Sequence, residues 1–257
     1  MVTIRVATDL HQCRQLWEGV LPQQILADLW DVRLCFHQYY QRPLHFIVAE
    51  DAHGPCGLLP LCWIEESQTY GYFPGETWEG KTWLEQNRIF ARSEDILQQL
   101  LAHCPSPYHI RYLLPIDHLP LQRRVVDEIG YLFKPPLYGY DIEGYLDLFS
   151  GKSAKRIKRD VAAVEALGIE YRYDELADYE HLVRLNVERF ASKSYFSDAR
   201  FSESFRSLMH FLHDNGWLRM TTIILNGEVA AVDMGCIRDG VYTLLGGGTH
   251  GGFPGVA

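Results

Sequence analysis

The sequence predicts a mixed α/β protein made of two successive halves, each with a mostly antiparallel sheet flanked by helices. Twice along the chain an apolar, β-branched run is followed by a turn signal and a second apolar run, at 44–64 and at 218–237. Segments with apolar residues at helical spacing precede each pair. We therefore expect an N-terminal half at 1–148, a linking helix at 149–168 and a C-terminal half at 169–257.

In the first half, strands and helices follow one another from residue 4 to residue 142. The predicted strands are 4–7, 44–50, 56–64, 70–73, 108–114 and 137–142. The pair Thr8 and Asp9 offers a cap for the first helix, Ser93 is placed to cap another, and Pro22 suits the first position of a third. A further helix is predicted at 119–129, ahead of a glycine at its C-terminal end.

A basic helix is predicted between the two halves. Ser150 or Ser153 can cap it, and Gly168 can end it. Five basic residues lie between 152 and 159 in an otherwise acidic protein. This pattern indicates either a solvated helix face or a patch that meets phosphates or an anionic acceptor.

The second half is predicted to run strand, helix, helix and then three strands, at 169–173, 178–191, 201–213 and from residue 218 onward. Asn226 and Gly227 form the strongest short hairpin signal, because a type I′ turn needs positive φ at both central residues. A second turn follows at 238–240. Six of the ten residues from 246 to 255 are glycine, so the third strand leads into backbone that a ligand can approach closely.

Composition excludes several classes of function. The net charge of −9 argues against a general nucleic-acid-binding protein, including one that binds DNA. The six cysteines contain no C-x-x-C pair, which predicts free thiols rather than a zinc site or disulfides. No apolar run approaches the ~20 residues that span a bilayer, and no signal-peptide pattern begins the chain, so we expect a cytoplasmic protein. The absence of metal-binding motifs predicts that it binds no metal.

A "G-x-x-A-A" strand start lies at 227–231, and a "G-x-x-P-L" stretch lies at 57–61. Together with the hairpin and the glycine-rich stretch, these motifs resemble the acetyltransferase-6 branch of the GNAT superfamily, which is close to the Fem-type peptidoglycan aminoacyltransferases. Pro254 and Gly255 match the pair that opens a pyrophosphate-binding helix in such proteins. The family continues beyond that helix start, so we expect the second half to be incomplete where this chain ends.

The resemblance implies an N-acyltransferase that uses acetyl-CoA, or another acyl-CoA, as co-substrate. Backbone N–H groups near the end of the third strand would hold the acyl carbonyl and pantetheine, and the next helix N-terminus would hold the pyrophosphate. The residues expected to bind the donor are Leu245, Gly246, Gly247, Gly251, Gly252 and Gly255.

Three residues are candidates for proton transfer in this reaction. Asp233 can accept the proton of the amine, although a carboxylate hydrogen-bonded within the sheet is an alternative interpretation. Tyr242 can protonate the leaving thiolate, although strand tyrosines usually pack. His250 lies within the glycine-rich stretch and titrates near neutral pH. The sequence leaves all three open.

The loop at 74–87 is rich in tryptophan and carboxylates, and loops often carry function. Its tryptophans can instead fill a seam between domains. The residues predicted to bind the acceptor are Glu76, Trp78, Glu79 and Glu85. We expect a small-molecule, amino-sugar or amino-acid acceptor. Two alternatives remain open: a Fem-type transferase that takes an aminoacyl group from tRNA, and a non-catalytic GNAT-like binding module.

Overall fold

The computed structural model describes residues 1–115 and 132–253, which fall into two compact units. The first unit contains residues 1–115 together with Asp198–Phe211. The second contains 132–197 and 212–253. The division by sequence at residues 148 and 168 stays a prediction. The helix predicted at 119–129 and the Pro254 and Gly255 pair lie outside the described residues.

The first unit is built on an antiparallel sheet in which four strands follow one another in chain order. Its strands are β1 Thr3–Ala7, β2 Leu44–Asp51, β3 Gly54–Ile64 and β4 Thr69–Tyr72, with β7 Phe90–Ala91 also pairing to β3, and a separate hairpin of β5 Thr77–Trp78 and β6 Lys81–Thr82. Its helices are α1 Leu10–Val20, α2 Trp30–Tyr40 and α3 Glu94–Ala102. The four strands predicted between residues 4 and 73 are therefore confirmed.

Both faces of this sheet are buried. Phe46 and Val48 of β2 pack with Trp17 of α1 on one face. Ile47, between them in sequence, packs with Leu97 of α3 on the other face. Successive side chains of a strand point to opposite faces, so this continuous apolar strand is explained by helices on both sides. Each such fully buried side chain contributes roughly 1.5–3 kcal/mol.

Local capping chemistry fixes the helix starts in the first unit. The Asp9 carboxylate accepts a hydrogen bond from the Gln12 N–H at 2.8 Å, and the Ser93 hydroxyl accepts one from the Ile96 N–H at 3.4 Å. Both caps agree with the sequence prediction. The helix expected to begin at Pro22 begins at Trp30 instead. The Asp28 carboxylate binds the backbone N–H groups of Gln24 and Ile25, which holds that segment in turns.

Two predicted strands are wrong. Residues 108–114 form only isolated bridges to neighbouring backbone, because Tyr112 has a φ of 53°, which an extended strand cannot contain. Residues 137–142 turn rather than extend, since Gly139 and Tyr140 have φ values of 61° and 58°. Asp141 then caps a short helix, α4 Ile142–Leu146.

The second unit has its own four-stranded antiparallel sheet. Its elements after α4 are α5 Gly151–Glu165, β8 Ile169–Tyr173, α6 Asp178–Phe190, α7 Ala199–Asp214, β9 Leu218–Leu225, β10 Glu228–Arg238 and β11 Val241–Thr249, and the sheet order is β11-β10-β9-β8. The part of α7 up to Phe211 belongs to the first unit. The predicted hairpin turn is confirmed, because Asn226 and Gly227 have φ values of 52° and 79°.

Helix α6 covers one face of this sheet and leaves the other open. Tyr179, Leu182 and Leu185 of α6 are fully buried. Arg172 of β8 pairs with Asp178 at the start of α6, so the same face carries an ion pair at its edge. On the opposite face, side chains such as Tyr171 are exposed.

The predicted basic helix is α5. Ser150 caps it by accepting a hydrogen bond from the Ser153 N–H at 3.2 Å, which settles the choice between the two serines. None of its residues is buried. Lys158 pairs with Glu143. A solvated helix fits these contacts, and a role in binding phosphates or an anionic acceptor stays a prediction.

No described helix of the chain has the length and apolar character needed to cross a membrane.

Candidate functional site

A break in register separates β10 from β11 at the start of the glycine-rich stretch. Met234 pairs with Gly246, whereas the next residue, Gly235, pairs with Leu244. Leu245 is therefore an extra residue in β11, the defining feature of a β-bulge. Bulges bend a strand and are frequent beside active sites. The predicted donor residues Leu245, Gly246 and Gly247 thus lie together at the one irregularity between these two strands.

Asp233 lies over Gly247 on the open face of the sheet. The two residues are paired across the strands, and a Cβ added to Gly247 would lie 2.2 Å from Asp233 Oδ1. Asp233 is exposed to solvent on this face, yet the surrounding atoms of the sheet partly desolvate its carboxyl group and so raise its pKa. A carboxyl group with a raised pKa exchanges its proton closer to neutral pH, which suits a proton acceptor in catalysis.

Tyr242 lies on the same face as Asp233. It pairs with Ile237, and its ring covers Gly235, where an added Cβ would lie 2.4 Å from the ring. Burial of the ring raises the pKa of its hydroxyl, and the nearby charge of Asp233 raises it further. The hydroxyl therefore keeps its proton at neutral pH and can donate it.

Two residues that the sequence reasoning missed hold the glycine stretch from the other side. The side-chain amide of Asn186 in α6 donates to the Gly247 carbonyl at 2.7 Å. The Ser194 hydroxyl donates to Asn186 Oδ1 at 2.6 Å and accepts from the Phe196 N–H at 3.1 Å. Asn186 lies one helical turn after Leu182, so a polar residue on the inward face of α6 was the available signal.

Gly248 allows α6 to approach the sheet closely. A Cβ there would lie 2.6 Å from the Leu182 carbonyl oxygen and 3.0 Å from the Asn186 backbone nitrogen. Backbone atoms cannot move aside easily, so this position requires glycine for packing. The glycine run therefore serves two purposes, with Gly247 facing Asp233 and Gly248 facing the helix.

Two hydrogen bonds hold His250. Its backbone N–H donates to the Ala230 carbonyl of β10 at 2.8 Å, and its ring Nδ1 accepts from the Gly252 backbone N–H at 3.0 Å. In the neutral ring the proton is consequently on Nε2. A side chain at Gly251 would meet open space, whereas one at Gly252 would meet the His250 ring. Gly255 lies outside the described residues.

The predicted acceptor residues lie in the first unit, around a cavity of about 350 Å³. Glu76, Trp78 and Glu79 line this cavity, and Glu85 does not. The Glu76 carboxylate is buried and accepts hydrogen bonds from the Thr82 hydroxyl and from the Leu84 N–H. Burial raises its pKa. The structure thus brings three of the four residues together.

A comparison with known protein families supports the resemblance for the C-terminal part. The family model described as an acetyltransferase (GNAT) domain matches residues 151–257, about two fifths of the chain. No curated protein matches the chain. The matched residues include β8 to β11 and every predicted donor and proton-transfer residue, while the cavity of the first unit lies outside the match.

The match and the fold together bear out the predicted fold class: antiparallel sheets flanked by helices, with a region similar to GNAT acetyltransferases in the C-terminal part. They support a transferase. The relation to Fem-type transferases stays a prediction. Within residues 1–115 and 132–253, no group of three or more His, Cys, Asp or Glu side chains could hold a metal ion.

Proposed function

We propose that this protein is an N-acyltransferase that moves an acyl group, most simply acetyl, from acyl-CoA to an amine. One observation carries the proposal. The bulge at Leu245, followed directly by three glycines, lies in the region that matches GNAT acetyltransferases. A bulge turns backbone groups out of regular pairing, and glycine allows a ligand to approach the backbone closely.

The reaction is a direct transfer. The amine nitrogen attacks the carbonyl carbon of the thioester, a C–N bond forms, and the C–S bond breaks. The amine loses one proton, and the departing thiolate gains one. Negative charge develops on the carbonyl oxygen during attack, so donors aimed at that oxygen lower the barrier most. In our proposal the backbone around Leu245 to Gly247 supplies those donors.

Asp233 and Tyr242 are assigned the two proton transfers. Asp233 accepts the amine proton, which is supported by its raised pKa and its place over Gly247. Tyr242 protonates the thiolate, which is supported by its own raised pKa and its place on the same open face. His250 is less suited to accept a proton at Nδ1, because that atom already accepts from Gly252.

The donor's pyrophosphate is assigned to the backbone that follows β11. Gly251 has open space around its Cα, so phosphate oxygens can reach its backbone. Gly252 is proposed to contribute to the same surface, and the predicted role of Gly255 lies outside the described residues. The acceptor residues Glu76, Trp78, Glu79 and Glu85 remain a separate proposal, because the site they would form lies outside the matched region.

The test is a coupled assay for free thiol. The full chain is mixed with acetyl-CoA and a panel of primary amines, amino sugars and amino acids, and release of CoA is followed with a thiol reagent. We expect thiol release that depends on both the protein and an amine, with acetylated amine formed in equal amount by mass spectrometry. Thiol release that does not depend on any amine, or no acetylated product, would contradict the proposal.

A further inference from the structure

Two acceptor side chains of the cavity in the first unit, Glu76 and Asn87, are held in place by hydrogen bonds, and the oxygen of Asn87 has no donor in the part of the chain that the structure describes. The Thr82 hydroxyl and the Leu84 N–H both donate to the same oxygen of Glu76, Oε1. The Glu76 backbone N–H also donates to this carboxylate. Asn87 also lines the cavity and is 3% exposed, and its Oδ1 is buried without a partner in the part of the chain that the structure describes.

The main chain of one residue positions both acceptors. The Leu84 N–H donates to Glu76 Oε1 at 2.8 Å, and the Leu84 carbonyl accepts from Asn87 Nδ2 at 3.4 Å. Asn87 Nδ2 also donates to the Arg111 carbonyl at 2.8 Å. These two bonds fix the orientation of the amide, because only the nitrogen can donate. Its oxygen therefore stays an acceptor.

The three arginines that line the cavity are already engaged by other groups. Arg111 donates to the Gly80 carbonyl and to the Tyr112 hydroxyl, both at 3.2 Å. Arg33 donates to three backbone carbonyls, those of Ala27, Phe73 and Gln86, at 2.8–2.9 Å. Arg200 pairs with Asp198 at 2.7 Å and with Glu66 at 2.8 Å. An anionic ligand would have to break one of these sets of bonds, whereas a ligand that donates hydrogen bonds would not.

A buried acceptor without a donor costs about 1–3 kcal/mol, and more for a charged group. The carboxylate of Glu76 and the amide oxygen of Asn87 in this cavity favour a ligand with several hydrogen-bond donors and a positive charge. An ammonium group carries three N–H donors and one positive charge. The volume of about 350 Å³ suits a small molecule.

We infer that this cavity is a binding site for a small primary amine, whose ammonium group contacts Glu76 Oε2 and Asn87 Oδ1. Trp78 and the neighbouring turn, in which Glu79 and Gly80 have φ values of 46° and 78°, form part of its wall. The raised pKa of the Glu76 carboxyl group shows the cost of burying its charge, and a bound cation offsets that cost. The inference depends on contacts within the first unit and does not require acyl transfer.

The test uses ethanolamine as the probe and the isotope-labelled full chain. Chemical shifts of the Trp78 indole N–H are followed as the amine is added, with ethylene glycol and acetate as matched neutral and anionic probes. We expect saturable shifts with ethanolamine, at least tenfold weaker binding of ethylene glycol, and no saturable shift with acetate.

Glu76→Gln keeps the shape of the side chain and an oxygen for Thr82 and Leu84, but it removes the charge. We expect it to weaken ethanolamine binding at least tenfold, with Glu94→Gln, a variant at an exposed position of α3 outside the cavity, binding as the unaltered protein does. Backbone amide spectra verify that each variant is folded. The inference is overturned if ethanolamine gives no saturable shift, if acetate binds as tightly, or if folded Glu76→Gln binds ethanolamine unchanged.

Discussion

The sheets of the two units share their strand order but differ in their last hairpin strand. In both sheets the four main strands are neighbours in chain order, and in each case helices separate the first strand from the second along the chain, although α7 belongs to the first unit up to Phe211. In the first unit the last of these, β4, has four residues in regular pairing with β3. In the second unit, β11 has nine residues, a bulge at Leu245 and three glycines. The strand order is therefore shared by both sheets, whereas the bulge and the glycines of the proposed donor site are found in β11.

The faces of the two sheets differ as well. Helices bury both faces in the first unit, so its central strands β2 and β3 are almost continuously apolar. In the second unit, one face of β10 is buried and the other carries the exposed Asp233. A sheet with an open face can present catalytic side chains to a substrate, whereas a sheet covered on both faces cannot. Substitutions in the two units test this difference.

The largest effect is expected from Asp233→Asn. If Asp233 accepts the amine proton, the variant should lose roughly 10²–10⁴-fold in kcat. Asp239→Asn is the matched control, because Asp239 lies in the turn after β10 with a φ of 51°, which asparagine tolerates. Initial rates of thiol release measure both. Equal activity of Asp233→Asn and the unaltered protein would remove Asp233 from the mechanism and weaken the contrast between the units.

Two glycines at helix–strand contacts provide a stability comparison. Gly248→Ala places a methyl group against the backbone of α6, which should cost about 1–3 kcal/mol in the free energy of unfolding. Gly57→Ala in β3 instead meets side-chain atoms, Ile96 Cγ2 at 2.5 Å, Leu100 Cδ1 at 3.0 Å and Ala49 Cβ at 3.2 Å. Side chains yield more easily than backbone, so we expect a smaller cost of roughly 0.5–1.5 kcal/mol. Urea denaturation measures both. A larger loss for Gly57→Ala would show that the α6 contact tolerates more than its geometry indicates.

The Asn186 and Ser194 pair should couple energetically. Asn186→Ala removes the hydrogen bond to the Gly247 carbonyl and the acceptor for Ser194, and we expect about 1 kcal/mol of lost stability. A double-mutant cycle with Ser194→Ala isolates the interaction between the two side chains. Strictly additive losses would mean that the two side chains act separately in supporting the glycine stretch.

The smallest effect concerns the pH dependence of stability through Glu76. Its pKa in the folded protein is raised above 4.5, so the folded state binds more protons than the unfolded state just above that pH. Stability from this group is therefore lost as pH rises. Glu76→Gln removes the loss, so its stability relative to the unaltered protein should increase between acid and neutral pH. Thermal unfolding at several pH values measures this difference, and a constant difference would contradict the raised pKa.

Local signals in the sequence predicted much of the fold. The hairpin turn at Asn226 and Gly227 and the caps at Asp9 and Ser93 depend on residues a few positions apart, and all three were predicted correctly. The predicted strand at 108–114 is wrong because Tyr112 has a positive φ, and the pattern of apolar residues on which the prediction depended does not reveal such a backbone angle. The late start of α2 depends on which backbone groups the Asp28 carboxylate binds.

The candidate site divides in the same way. The glycine stretch is visible in the composition, and Asp233 was predicted as a proton acceptor because the resemblance implies an acyltransferase. The position of the bulge depends on pairing between two strands, and the bond from Asn186 to Gly247 joins residues 61 positions apart. The unsatisfied oxygen of Asn87 results from the arrangement of Leu84 and Arg111 around it. A single sequence carries no direct record of such contacts.

The most direct test of the central claim is a calorimetric titration of the full chain with acetyl-CoA, repeated on Gly247→Val. Gly19→Ala in α1 is the control, because a side chain there meets nothing within 4 Å. We predict that the unaltered protein and Gly19→Ala bind acetyl-CoA alike. Gly247→Val should lose most of this affinity, because its side chain would displace Asp233 and fill the space beside the bulge. Binding by Gly247→Val that equals that of the unaltered protein, or no binding by any of the three, would contradict the assignment of the donor site to β11.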